Sequence, residues 1–255
     1  MAQYTLPKVW KNTQSQGLNS DTAGSRFEQT LPKGDKPYQL YTLSTPNGIK
    51  PIILLEELLA LGMTDAQYNM YKINIMKGEQ FGSDFVALNP NSKIPALLDQ
   101  AQGGLRIFES AHILWHIAKK HQAFLGETPQ EQSEVLNWLF WQTGAAPFLG
   151  GGFGHFFKYA PEKLEYPINR YTMETKRQLD LLDQLLAKRT YIAGEHYTIA
   201  DIAIWSWYGR LLDDKVYPGA AQFLDGQSYH HLHRWNELIK QRPAVQKALE
   251  KSYDD

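Results

Sequence analysis

Near residue 129 the hydrophobic pattern of this 255-residue chain changes its period, and that change limits what the chain can fold into. Before it, apolar runs of strand length alternate with helical stretches; after it, only long segments of 3.6-residue period remain. The first run, YQLYTL (38–43), predicts a strand, ended by STPNG and followed by IKPIILLEELLALGM with apolar residues at helical spacing. YNMYKINI (68–75) predicts a second strand, with Tyr71, Ile73 and Ile75 on one face and Met70, Lys72 and Asn74 on the other. After the polar MKGEQFGSDFVALNPNSK come IPALL (94–98) and LRIF (105–108), joined by the turn-forming DQAQGG of a hairpin. The helical SAHILWHIAKKH closes the block.

The order βαβ, a short helix or loop, then ββα predicts an α/β thioredoxin-like N-terminal domain over residues 38–122, a mixed sheet with helices on both faces. Over residues 129–255, QEQSEVLNWLFWQTG, YPINRYTMETKRQLDLLDQLLAKR, TIADIAIWSWYGRLLDD and LHRWNELIKQRPAVQKALEK predict an all-α helical bundle. FLGETP (124–129) has the Gly and Pro of a linker, and residues 1–37, polar and broken by Pro7, Gly17, Gly24, Pro32 and Gly34, read as an extended arm. With 43% hydrophobic residues, each domain can bury a core. The aromatics that crowd Trp138, Phe140, Trp141, Phe148, Phe153, Phe156, Phe157 and Tyr159 read first as core packing.

Twenty-six Lys and Arg balance 27 Asp and Glu, with no basic run to follow a phosphate backbone, so nucleic acid is not an expected partner. No stretch approaches 18 apolar residues and the N-terminus resembles neither a signal nor a transit peptide, so no membrane association and a cytoplasmic location are expected. The absence of cysteine excludes disulfides, thiolate metal sites, a CxxC pair and a cysteine nucleophile. Any sulfur chemistry must come from a ligand.

Three constellations sit where strands end. Thr45-Pro46-Asn47-Gly48 lies at a strand-to-helix handover, where free N–H groups and the helix dipole favour an anion and lower the pKa of a thiol held there. Thr45 and Asn47 add a hydroxyl and an amide donor. Read alone, Asn47-Gly48 is also turn chemistry and Thr45 a helix cap. In Ser92-Lys93-Ile94-Pro95, a cis peptide before the proline would let the backbone of Ile94 pair with a peptide ligand as an added strand does, and Lys93 can reach a carboxylate or stay solvated. In Phe108-Glu109-Ser110, Ser110 is placed to cap the next helix; with the dipole it can also hold an α-carboxylate while Glu109 pairs with an α-amino group. All three lie at strand ends of one small α/β domain, and together they are far more specific than any one alone.

With these motifs, the chain resembles the glutathione transferase superfamily over nearly all of its length beyond residue 37, and Thr198-Ile199-Ala200-Asp201-Ile202 resembles the capping box and staple that open a helix of that family's second domain. TPNG, KGEQF, NSKIPAL, FES and LNWLFWQ resemble the bacterial nu class, glutathione-dependent disulfide-bond oxidoreductases whose longer members have an N-terminal arm. The resemblance implies the glutathione transferase fold, with Asn47 and Thr45 near the glutathione sulfur as the catalytic pair. It implies Gln80, Lys93 and the Ile94 backbone at the glycyl and cysteinyl parts, Glu109 and Ser110 at the γ-glutamyl end, Arg170 reaching over from the helical domain, and Gln142 as a further contact. It also implies glutathione as co-substrate, two molecules or one oxidised disulfide per subunit, and a homodimer whose intersubunit cleft or partner the arm crosses.

The activity expected is glutathione-dependent disulfide reduction, with peroxide reduction as a companion. The alternatives are a conjugating transferase that uses the same thiolate and a noncatalytic binding protein of the same fold. No metal is expected: His112 and His116 lie four apart, but Ile113 breaks HExxH. Gly150-Gly151-Gly152-Phe153-Gly154 follows a helix rather than a strand, which argues against a nucleotide loop. It reads as a helix break that lets Phe153, Phe156 and Tyr159 line the second substrate's pocket. His230, His231 and His233 read as a solvated or loop cluster.

Overall fold

The computed structural model describes residues 22–254. Strands β1 (Tyr38–Thr42), β2 (Tyr68–Lys72), β3 (Ala96–Asp99) and β4 (Leu105–Phe108) form one sheet in the order β2-β1-β3-β4. β1 runs parallel to β2 and antiparallel to β3, and β3 antiparallel to β4. All five residues of β1 are buried, as a central strand covered on both faces requires. Tyr38 and Leu40 enter the main core, while Tyr41 joins Tyr71, Ile73, Phe85 and Ala96 in a smaller one on the other face. β2 is shorter than its apolar run: it ends at Lys72, and Ile75 opens a 3₁₀ turn (Ile75–Lys77) instead of continuing the strand.

Helices α1 (Ile49–Ala60), α2 (Ser83–Leu88) and α3 (Ser110–His121) complete the first domain. Every residue of α1 from Ile49 to Leu58 is buried, because the helix is pressed between the sheet side and the helical domain. That domain comprises α4 (Pro129–Pro147), α5 (Glu165–Leu186), α6 (Ile199–Trp205), α7 (Tyr208–Leu212), α8 (Ala220–Phe223), α9 (His230–Lys240) and α10 (Pro243–Glu250). Reciprocal capping boxes open α4 (Thr128 with Glu131) and α6 (Thr198 with Asp201). One apolar cluster runs from Tyr38 through α1 and α3 to Trp205, Trp235 and Val245, so the two domains share a core. No helix among the described residues is long and apolar enough to cross a membrane.

Three expectations change. The glycine run does not break α4: residues Phe148–Tyr159 continue it as a π-helix, closed by the Ala160 N–H to His155 O bond at 2.7 Å. The segment after Thr198 is not one helix, because it breaks between α6 and α7 at Ser206 and Trp207. His230, His231 and His233 stand in the first turn of α9 rather than in a loop; His230 and His231 are solvated, and the His233 ring bonds Gly226 O at 3.1 Å. The described part of the arm, residues 22–37, lies on the chain's own first domain: Arg26 N–H donates to Phe81 O, its guanidinium stacks on the Phe81 ring at 3.5 Å, Phe27 bridges Gly82, and Gln29 N–H donates to Ser83 Oγ. The contact of the arm, residues 1–37, with the intersubunit cleft or the partner stays an expectation, and residues 1–21 lie outside the described residues.

Candidate functional site

A cleft between the domains holds a cavity of about 570 Å³ joined to one of about 340 Å³ through four residues common to both walls, Asn47, Ile75, Lys93 and Trp207. Thr45 and Gln80 line the smaller lobe with Ile94; Glu109, Ser110 and Gln142 line the larger. Thus eight of the nine residues singled out from the sequence meet in one place. The ninth, Arg170, is exposed on α5 and does not line either lobe.

The Thr45–Gly48 turn is built by close approach. A Cβ at Gly48 would overlap the Leu43 carbonyl, so only glycine fits there, and the Gly48 N–H donates to Thr45 Oγ1 at 3.2 Å. Thr45 therefore caps the turn and still has its hydroxyl hydrogen to donate. Asn47, one residue before Gly48, accepts at Oδ1 from the Trp207 indole N–H at 2.8 Å. The Asn89-Pro90-Asn91-Ser92-Lys93 loop is knit by Asn89, whose Nδ2 donates to Lys93 O at 2.6 Å and whose Oδ1 accepts from Asn91 N–H at 2.9 Å. The next peptide, Ile94–Pro95, is cis. Gln80 is buried, and its Oε1 has no partner.

At the other end of the cleft, Glu109 takes φ 68°, a sparsely populated conformation costing about 1–3 kcal/mol, where β4 hands over to α3. Ser110 does not cap α3: Glu109 holds the cap position, and the Ser110 hydroxyl accepts from Lys50 Nζ at 3.2 Å. Lys50 was not singled out from the sequence. It is 1% exposed, lines the larger lobe, and also donates to Gln142 Oε1 at 2.7 Å, while Gln142 Nε2 is buried without a partner. Burial pushes the Lys50 pKa down to about 7, with the Glu109 carboxylate pulling the other way. A lysine donates only, so Ser110 keeps its O–H to offer elsewhere.

The aromatic residues of the π-helix do not line the cavity. Phe153 is fully buried against Phe157 and Phe223, Phe156 stacks on Tyr171, and Tyr159 packs edge-on to Tyr217. What reaches the cavity is the bare backbone of Gly150 and Gly151 and the ring of Tyr217, whose hydroxyl burial keeps protonated. A separate, almost wholly apolar groove of about 420 Å³ runs between α3 and α4, lined by His112, Trp115, Leu136, Leu139 and Phe140, with Phe140 67% exposed. His116, one turn along from His112, is spent on the buried Asp99 at 2.9 Å.

A thiol at the N-terminus of α1 would meet the donors of Thr45 and Asn47, and an amino-acid zwitterion would meet Glu109 and Ser110. Residues 37–119 match the glutathione S-transferase N-terminal domain and residues 166–247 the glutathione S-transferase C-terminal domain. The disulfide-bond oxidoreductase YghU of Escherichia coli K12 is 52% identical over 250 residues, 96% of this chain and 86% of that protein. Glutathione transferase YghU from Streptococcus pneumoniae, a crystal structure with glutathione, superposes with a TM-score of 0.94 at 64% identity over 99% of each chain. A glutathione transferase from Burkholderia graminis, with two glutathione molecules bound per subunit, superposes with a TM-score of 0.78 at 33% identity over 86% of this chain and 90% of that one. The chain therefore belongs to the glutathione transferase superfamily, in its nu-class group of YghU-like disulfide-bond oxidoreductases.

Proposed function

We propose that this enzyme reduces disulfides with two molecules of glutathione. One glutathione thiolate, held at the N-terminus of α1 by Asn47 and Thr45, attacks one sulfur of a substrate disulfide and expels the other as a thiolate, which takes a proton. A second glutathione attacks the glutathione sulfur of the mixed disulfide, releasing the second substrate thiol and oxidised glutathione. Two electrons leave the pair of glutathiones and two enter the substrate, so the protein needs no redox group of its own, in keeping with a chain that has no cysteine. The observation that carries this reading is the two-lobed cleft, which leads from Thr45 and Asn47 to Glu109 and Ser110 with space beyond a single tripeptide. The two glutathiones in the Burkholderia graminis relative support that stoichiometry.

Glu109 and Ser110 hold the γ-glutamyl zwitterion of the first glutathione, and Lys93, Gln80 and the Ile94 backbone its cysteinyl and glycyl parts. An organic hydroperoxide is a second oxidant for the same thiolate: attack on its distal oxygen gives an alcohol and a glutathione sulfenic acid, which the second glutathione converts to the disulfide and water. The apolar groove between α3 and α4 is the face against which a second copy packs to make a homodimer, the assembly that goes with the family resemblance.

Steady-state reduction of 2-hydroxyethyl disulfide, coupled to glutathione reductase and compared with conjugation to 1-chloro-2,4-dinitrobenzene, tests the reading. Fast reduction with feeble conjugation is expected. The reverse ratio would make this a conjugating transferase, and glutathione binding with neither activity would make it a binding protein. Asn47→Ala should lower disulfide turnover roughly 10- to 1000-fold, as for loss of one oriented donor to a developing anion; unchanged turnover removes Asn47 from the mechanism.

A further inference from the structure

Asn47 can help a thiolate only if the right end of its amide faces the sulfur. The NH₂ end donates; the carbonyl end would set lone pairs against a negative charge. Rotation about χ2 is broad and close to two-fold for asparagine, so the side chain alone does not choose between them. The choice is made from the other domain. An indole nitrogen donates and never accepts, so the atom 2.8 Å from Trp207 Nε1 is necessarily the amide oxygen. With Oδ1 taken, Nδ2 is the end left for the cleft, both of whose lobes Asn47 lines.

Trp207 is itself held in one place. It stands at the break between α6 and α7, where the Ser206 hydroxyl donates back to Ile202 O at 2.8 Å and the Trp207 N–H donates to Ile204 O at 3.1 Å. Trp207 is 8% exposed, and its ring lies over Gly150, where an added Cβ would come within 2.8 Å of the ring edge. The ring thus rests on bare π-helix backbone, with its N–H aimed 160 residues back along the chain at Asn47.

We propose that Trp207 is a positioning residue for thiolate formation: by holding the Asn47 carbonyl it makes Asn47 present N–H donors, and not a carbonyl, to the glutathione sulfur. This rests on the proposed function, because it presumes that the sulfur sits at Asn47. Without the indole N–H the amide is free to turn, and the orientations that offer the carbonyl to sulfur favour the thiol over the thiolate.

Trp207→Phe keeps an aromatic ring and removes the donor, together with the indole edge that lies over Gly150. The pH titration of bound glutathione, followed by thiolate ultraviolet absorbance, together with kcat, KM and melting temperature, should give a higher thiol pKa and a kcat for disulfide reduction lowered roughly 10- to 100-fold. KM for glutathione should change less than about threefold, because Glu109 and Ser110 still anchor the zwitterion; a merely structural tryptophan would lower the melting temperature without moving the thiol pKa. In an Asn47→Ala background the same substitution should cost nothing further. An unchanged thiol pKa in Trp207→Phe, or additive losses in the double variant, overturns the proposal while leaving the reductase reading intact. If wild-type enzyme does not depress the thiol pKa at all, the assignment of the sulfur to Asn47 fails, and this proposal with it. A readout that needs no folded Trp207 variant is available in wild type: the Asn47 amide protons, assigned by their disappearance in Asn47→Ala, should show nuclear Overhauser contacts to the cysteinyl methylene of bound glutathione, and their absence also overturns it.

Discussion

Lys50 is a charged side chain with almost no access to solvent, and the chain tolerates it because two acceptors, Ser110 Oγ and Gln142 Oε1, meet it from different domains. Its pKa of about 7 in the fold lies below the ordinary lysine value near 10.5. Between those values the unfolded chain holds a proton that the folded one lacks, so Lys50 makes stability rise with pH from about 7 toward 10.5. Lys50→Met should flatten that rise in melting temperature against pH. Since Lys50 supports the hydroxyl assigned to the glutathione carboxylate, the same substitution should raise KM for glutathione roughly tenfold, the loss expected for a charge-assisted hydrogen bond. A KM unchanged at pH 6.5, where the wild-type lysine is mostly charged, would separate Lys50 from binding. Neither Lys50 nor Trp207 was legible in the sequence. Thr45, Asn47, Glu109 and Ser110 were, because each stands at a strand-to-helix handover that local pattern reveals. Lys50 finds its acceptors 60 and 92 residues away, and Trp207 its acceptor 160 residues away, separations across which no local pattern speaks.

Among the elements, the π-helix of residues Phe148–Tyr159 differs most from its sequence expectation. Four glycines in five residues look like a break, yet three of them are there because neighbours come too close for a side chain: Trp207 at Gly150, Tyr171 at Gly152 and Tyr217 at Gly154. Gly151 has nothing within 4 Å of an added Cβ. Gly154→Ala should therefore displace the Tyr217 ring and cost about 1–3 kcal/mol in chemical denaturation, while Gly151→Ala should be neutral or slightly stabilising. Equal effects would mean that flexibility, not close approach, is what the run supplies. The first domain was otherwise readable almost element by element, since period-2 and period-3.6 runs alternate there. The helical domain was readable as helix but not in its breaks: Trp207 interrupts an unbroken 3.6-residue pattern, and that interruption is what turns its ring toward the site.

At the scale of the whole molecule, the exposed Phe140 and the apolar groove beside it are the surface that the proposed homodimer would cover. Phe140→Glu should shift the mass measured by light scattering from dimer to monomer, and a wild-type enzyme that is already monomeric would remove the dimer from the proposal. Within one subunit the last described part of the chain stitches the helical domain to the first one. Arg242 grips Glu57 through two bonds of 2.6 and 2.8 Å, which joins α10 to α1. Past α10, the Asp254 N–H donates to Met70 O at 2.7 Å and its carboxylate accepts the Met70 N–H at 2.8 Å, which occupies the outer side of edge strand β2. An uncovered strand edge is a template for pairing with other chains. Without Asp254, the Met70 N–H and O on that edge would stand open to a strand of another chain. Asp254, exposed as it is, therefore matters more to solubility than its exposure suggests.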